Sequence, residues 1–202
     1  MRNTTKFLID SIKSLNIDLG GVIDIGSFNG GLSRQLRSSI NIPNSNFLLV
    51  DPNKDIDVKD FNIIRAAVSN YSGKSQFKYV ISDTDIFSDM STMMDRIDQI
   101  HKYDSYEVNV VTGEELVDSI NFTNFALCID AEGHSYEIIE GFKDSIANAK
   151  CVFVEVEDKE FWVGQKLKKD VELLLRSKGF IKHREFKTWN NQYDQFWINN
   201  NL

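Results

Sequence analysis

A doubly wound, Rossmann-like α/β fold with a mostly parallel sheet follows from three features of the 202-residue chain. Short apolar runs recur and end on an acid or a glycine, as buried parallel strands do at their carboxyl tips. Stretches with apolar residues at three- and four-residue spacing separate them, which is the period of a helix with one buried face. After the last such stretch come two extended runs joined by a polar turn, so the sheet should carry an antiparallel edge.

Each element is readable in turn. Phe7, Leu8, Ile12 and Leu15 share a helical face, with Lys6, Asp10 and Lys13 between them, so residues 1–19 are predicted to hold an amphipathic helix ended by Gly20-Gly21. Val22-Ile23-Asp24-Ile25, stopped by Gly26, is the first strand, and residues 31–39 the helix after it. The run from Asn46 to Val50, closed by Asp51-Pro52, is the second strand, and the run from Asn62 to Val68 the third. A β-rich insertion spans about 74–111, with extended runs at Gln76–Val80 and Tyr106–Val110 and a polar middle, Ser82–Asp104, that reads as a loop or short helix. Thr112 with Glu115 forms a capping box that opens a helix. Phe125–Asp130 is the fourth strand, and Ile138, Ile139, Phe142 and Ile146 mark the helix that follows it. Lys150–Val156 is the fifth strand, and Leu167, Val171, Leu174 and Leu175 mark the last helix, capped by Gly179. Phe180–Lys187 and Tyr193–Asn199 form the terminal hairpin around Trp189–Gln192.

The length suits one hydrophobic core, so a single domain over 1–202 is expected. With 23 Lys and Arg against 30 Asp and Glu, the net charge of −7 repels polyanions, which argues against nucleic acid or an anionic membrane as partner. No apolar stretch approaches the roughly 20 residues of a membrane span, and Asp10 and Lys13 interrupt the first apolar run, so no signal-peptide core is present. A cytoplasmic protein is the expectation. Cys128 and Cys151 sit within apolar strand sequences and read as buried thiols.

The chemistry concentrates at three strand tips. Residues 24–30, Asp24-Ile25-Gly26-Ser27-Phe28-Asn29-Gly30, form a strand, a glycine turn and a helix start, an arrangement that presents backbone N–H groups to a small anionic group. In S-adenosylmethionine (SAM) that group is the methionine carboxylate, while Asp24 faces the ammonium directly or through water. A dinucleotide fingerprint requires glycine two positions after Gly26, where this chain has Phe28, so the spacing favours SAM over NAD. Asp51, followed by Pro52, lies about 25 positions further on, close to the interval for an acid that accepts hydrogen bonds from a ribose diol. Asp130, Glu132 and His134 cluster around Gly133 at the exit of the fourth strand. Methyl transfer to oxygen requires removal of the acceptor's proton, and among these three His134 has the best suited unperturbed pKa. Asp130, Glu132, His134 and Glu155 offer hard ligands at one edge, yet nothing in their spacing demands a metal, and no ligand is assigned.

These segments together resemble the FkbM-type methyltransferases of the class I SAM-dependent superfamily. The resemblance runs through Val22–Ser33, Val50–Asn53, Ala66–Ser69 with Gly73, Ile129–Gly133, and Gly141 followed by Val154-Glu155. It implies a seven-stranded sheet, SAM as methyl donor, and transfer to a hydroxyl of a sugar or small molecule. By position it places Asp24, Gly26 and Gly30 at the methionine end, with Ser27, Phe28 and Asn29 in the same turn. Asp51 and Pro52 fall at the ribose, Ala67 at the adenine, and Asp130 to Gly133 at the reacting edge. The chain departs from the family pattern at Cys128, Ser135 and His134. Residues 83–104 and the aromatics Phe161, Trp162 and Trp189 are candidates to cover the acceptor, or, for the aromatics, to fill the core. The rival functions are an NAD-linked oxidoreductase and a non-enzymatic SAM-binding or interaction module.

Overall fold

The structure, a computed structural model, describes residues 3–56, 58–81, 91–97 and 102–200. Its main sheet has seven strands: β1 (Gly21–Ile25), β2 (Phe47–Val50), β3 (Asn62–Ile64), β7 (Phe125–Ile129), β8 (Ala149–Glu157), β9 (Phe180–Trp189) and β10 (Gln192–Asn199). Their order is β3-β2-β1-β7-β8-β10-β9, and β10 runs antiparallel to both of its neighbours. The seven-stranded, mostly parallel sheet with an antiparallel C-terminal hairpin is therefore present as expected.

Side-chain alternation distributes the apolar residues to two cores. Ile23, Ile25, Leu127, Ile129, Val152 and Val154 face one side, where α3 (Gly113–Asp118), α4 (Ser135–Gly141) and α5 (Lys168–Ser177) cover them with Leu116, Ile139 and Leu175. Val22, Phe47, Leu49, Ala126 and Phe153 face the other, against Leu8 and Ile12 of α1 (Asn3–Ser14) and Leu36 of α2 (Gly31–Ser39). Helices on both faces are what make near-continuous apolar strands stable, since neither face meets water. Cys128 and Cys151 are buried free thiols, and burial pushes the Cys151 thiol up to about 12, so it stays protonated and inert.

Several boundaries differ from the sequence expectation. The run from Asn62 to Val68 is two strands: β3 stays on the main sheet, while β4 (Ala67–Ser69) leaves it to pair with β6 (Lys102–Thr112). Arg65 sits at the break, where its guanidinium donates to the carbonyls of Asn53 (2.7 Å) and Ile56 and bends the chain under that loop. β5 (Gly73–Ile81) pairs antiparallel with β6, so the insertion and β4 together make a three-stranded sheet of order β4-β6-β5. The middle of the insertion is described only at 91–97; residues 82–90 and 98–101, including His101, lie outside the described residues. The helix expected through Ile146 ends at Gly141, because Lys143 takes a left-handed conformation (φ 49°) and Ile146 falls in a separate 3-10 turn. The first helix likewise stops at Ser14, ahead of Asn16 at φ 49°. The capping box at Thr112 forms with both of its hydrogen bonds, and Gly179 follows α5 at φ +89°. Among the described residues no helix is long and apolar enough to cross a membrane.

Candidate active site

The tips of β1 and β7 approach so closely that they dictate the residue between them. Gly26 has φ +74°, and a Cβ built there would stand 1.9 Å from the carbonyl oxygen of Asp130. The contact is fixed from the other side, since the Asp130 N–H donates to the Ile25 carbonyl (3.0 Å). Asp51, at the tip of β2, ties the turn to its own strand. One carboxylate oxygen accepts from the Phe28 N–H (2.8 Å) and the other from the Asn53 N–H (2.9 Å). Burial raises the Asp51 carboxyl above its ordinary range, and those two N–H groups together with Arg65 oppose the rise.

The turn is less open to an anion than its sequence suggests. The N–H groups of Gly26 and Ser27 point to the Val50 carbonyl, that of Phe28 to Asp51, and that of Gly30 to the Ser27 carbonyl. A tight turn between two strand tips satisfies its own donors, and this is why the expected backbone cradle is used internally. Two features remain for an anionic group. Beyond the Gly31 N–H, which donates to Asn29 Oδ1 (3.1 Å), the α2 start has no side-chain cap, and the Ser27 Oγ is buried with no hydrogen-bond partner. The positive end of a nine-residue helix beside an orphaned hydroxyl is a fitting seat for a carboxylate.

Asp24 stands behind this turn rather than on its open side. It is 3% exposed, lies on the strand face that meets α2, and accepts a hydrogen bond from Ser33 Oγ (2.6 Å). Burial raises its carboxyl to about 7; the Ser33 bond opposes this, and the neighbouring Asp130 and Asp51 reinforce it. The folded chain thus favours the protonated form. That stability is fully present below the ordinary carboxylate range and is lost as pH rises toward 7. Asp24→Asn is expected to remove this dependence. Between about pH 5 and pH 8 the melting temperature of the ligand-free wild type should fall by about 5 °C more than that of the variant. Parallel melting curves would show that Asp24 does not carry the effect.

A cleft of about 820 Å³, open to solvent on one side, lies along these tips. Gly26, Phe28, Asp51, Pro52, Ala67 and Asp130 line it, as do Glu132 and His134, so the β1, β2 and β7 candidates share one cavity. Asp24, Ser27 and Gly30 are buried and are not among its lining residues, and Asn29 is exposed outside it. Asn53, Phe77 and Ser91–Met93 line it as well. Phe77 and Ser91–Met93 come from the insertion, whose 91–97 segment is bound across the site. Thr92 Oγ1 donates to the Glu132 carbonyl (2.9 Å), and Arg96 pairs with Trp162 as an isolated bridge with its guanidinium 5.3 Å from the ring centre. Trp162 itself is core, packed so closely on Gly133 that a Cβ there would meet its ring at 2.3 Å. Trp189 is 68% exposed at the hairpin turn, so the Trp candidates do not face this cleft.

His134 is largely buried, its side chain 15% exposed. Burial lowers its pKa to about 4, so the ring is neutral at physiological pH. Its Nε2 lies 3.0 Å from Ser69 Oγ, and its Nδ1 is buried 3.7 Å from the Glu137 carboxylate.

The profile of the methyltransferase FkbM domain matches residues 40–182, from the loop before β2 into β9. The chain belongs to the FkbM methyltransferase family. Methyl transfer with SAM as donor is thereby its chemistry, and the NAD-linked alternative is set aside. The magnesium protoporphyrin IX methyltransferase of Synechocystis PCC 6803, solved with bound SAM, has a similar fold. The match has a TM-score of 0.50 and 10% identity, and covers 96% of this chain and 77% of that one. Streptococcus pneumoniae Sp1610, assigned as a tRNA (m1A22) methyltransferase, aligns with a TM-score of 0.45 and 11% identity over 98% of this chain and 71% of its own. No curated protein matches the chain in sequence.

In this FkbM-family chain the site also includes acids that the sequence did not reveal. Glu157 of β8 and Asp194 of β10 stand beside Glu155, all on the α1 and α2 face of the sheet. Burial, then the surrounding acids, pushes the Glu155 carboxyl well up, and burial raises Glu157 to about 7 and Asp194 to about 8. The only sequence signal for Asp194 is an acid at an inward position of a strand whose alternate residue, Phe196, is apolar. That signal requires the register of the hairpin to be known.

Proposed function

We propose that this chain is an O-methyltransferase that moves the SAM methyl group to a hydroxyl of a sugar, glycan or hydroxylated small molecule. The observation that carries this reading is the position of the acids along one cleft: Asp51 at the β2 tip, Asp130 and Glu132 at the β7 tip. Asp51 and the Ala66–Val68 wall suit a ribose and adenine, and the α2 start with Ser27 suits the methionine carboxylate. SAM, when bound, supplies an electrophilic methyl group on a sulfonium. The chain's own task is to hold the acceptor oxygen in line and to take its proton. Asp130, exposed on the cleft wall, is the proton acceptor in this reading. His134 is a wall residue, because its Nε2 is engaged with Ser69 and burial makes it a weak base.

The kinetics of two variants test that assignment. Asp130→Asn is expected to slow turnover by about a hundredfold, the scale of lost acid–base assistance, while SAM affinity changes little. His134→Ala should slow it less than about tenfold with an unchanged pH–rate profile. The reverse pattern would make His134 the base. A screen of glycans and hydroxylated small molecules with labelled SAM identifies the acceptor class. Failure of every hydroxylated acceptor, with SAM bound, favours a non-enzymatic binding module. The free buried thiols suit a reducing compartment, and the cytoplasm is the proposed location.

A further inference from the structure

The lining of the cleft is divided by chemistry. Its acids, Asp51, Asp130 and Glu132, come from the strand tips, whereas Ala67, Val68, Phe77 and Met93 make an apolar stretch supplied by β4 and the insertion. Ala67 and Phe77 are buried in one small cluster with Val108 and Val110 of β6, and Met93 packs against that cluster while half-buried itself. The insertion is braced to both of the tips that carry the acids. At the β2 tip the Tyr106 hydroxyl accepts from the Lys54 N–H (3.2 Å) and donates to the Pro52 carbonyl (3.3 Å). At the β7 tip Thr92 Oγ1 donates to the Glu132 carbonyl, and the Thr92 backbone exchanges two hydrogen bonds with Lys78 of β5 (2.8 and 2.9 Å). Since β2 and β7 flank β1 in the sheet, the insertion spans the β1 tip. Phe77 and Met93 therefore belong to an element with a fixed place over the cleft.

We propose that the insertion completes the donor site: Phe77 and Met93, with the wall from Ala66 to Val68, form a slot for the adenine ring of SAM. Adenine is a flat, uncharged ring with a π-face, so it leaves water readily for an apolar slot of this kind. A thioether such as that of Met93 adds favourable contact with an aromatic ring and adapts to its outline. The slot shares its cleft with Asp51, so an acid for the diol and an apolar surface for the base are both present, as a nucleoside requires. Thr92 precedes Met93 in the chain and holds the Glu132 carbonyl, so the segment that meets the base also steadies the reacting edge. The inference rests on the reading that places the base at Ala67; the binding of SAM does not depend on it.

The test is calorimetry of the full chain with two ligands. One is S-adenosylhomocysteine, the demethylated product of SAM, and the other is 5′-methylthioadenosine, which keeps the base and ribose but lacks the amino acid. Met93→Ala is expected to weaken both by the same factor, about tenfold, the scale of withdrawing one apolar side chain from a buried ring. Met93→Leu, which restores the volume, should stay within about threefold of wild type. Glu107→Gln, an exposed acid paired with Lys74 on the insertion sheet, should bind as wild type does. A loss confined to S-adenosylhomocysteine would put Met93 against the amino acid and overturn the slot. Nuclear Overhauser contacts in the S-adenosylhomocysteine complex, with methyl-labelled alanine and methionine, separate the failures. Adenine protons are expected to contact the methyl groups of both Ala67 and Met93. Contacts to Ala67 alone, with unchanged affinity in Met93→Ala, overturn the slot and leave the base where it was placed. Contacts to neither overturn the placement and the slot with it, and no binding of S-adenosylhomocysteine by wild type overturns the donor reading itself.

Discussion

Gly26→Ala is expected to lower the melting temperature by more than about 10 °C, the largest loss of any single methyl addition near the site. Two costs combine. A left-handed backbone costs an L-residue about 1–2 kcal/mol, and the new Cβ would stand 1.9 Å from the Asp130 carbonyl oxygen. That oxygen is backbone, and its residue is anchored by the bond from its N–H to Ile25, so relief requires the β1 and β7 tips to part. Strained backbone with loss of core packing costs several kcal/mol, and each kcal/mol shifts the melting of a domain this size by about 2–4 °C. Gly30→Ala supplies the comparison. Its φ is likewise left-handed, +75°, but the atoms a Cβ would meet first are the side chains of Leu49 (3.2 Å) and Val58 (3.3 Å), which can yield. Its loss should be only the conformational part, a few degrees. Equal losses in circular-dichroism melts would show that the approach of the strand tips is not the constraint.

The parts of this fold that were legible in the sequence are those set by local pattern. Apolar runs broken by Gly26 and Asp51 gave two strand tips, and the Thr112 capping box and Gly179 gave helix ends, because each signal lies within a few residues of its consequence. The split between β3 and β4 was not legible. It depends on Arg65 reaching the Asn53 and Ile56 carbonyls, a contact that only the fold brings together. The same distinction divides the site. Gly26, Asp51 and Asp130 could be paired from spacing, because their strands follow a repeating plan. The inward bonding of the turn's N–H groups and the place of Asp24 behind it required the packing of β1 against β2 and α2. Asp194 meets Glu155 only through the β8–β10 pairing, and a hairpin slip of one residue would have pointed Asp194 to the other face.

Asp51→Asn is expected to weaken SAM binding by about a hundredfold in calorimetry. Both carboxylate oxygens already accept a backbone N–H, from Phe28 and Asn53, and each retains capacity for one further hydrogen bond. An asparagine must set its amide N–H₂ against one of those N–H donors, which loosens either the glycine turn or the β2 tip. It also has one acceptor fewer for a diol. Hydrogen bonds to a charged group contribute about 1.5–3 kcal/mol, and every 1.4 kcal/mol is tenfold in affinity. A 2′-deoxyribose analogue of SAM separates the two effects. If the Asp51 carboxylate holds the ribose, wild type should prefer SAM to that analogue while Asp51→Asn binds both alike, since the partner of the missing hydroxyl is already lost. A variant that keeps the preference would confine Asp51 to bracing the turn. The hydroxyl's partner would then be sought on Asn53, whose Oδ1 accepts from the Asp55 N–H within the same cleft wall.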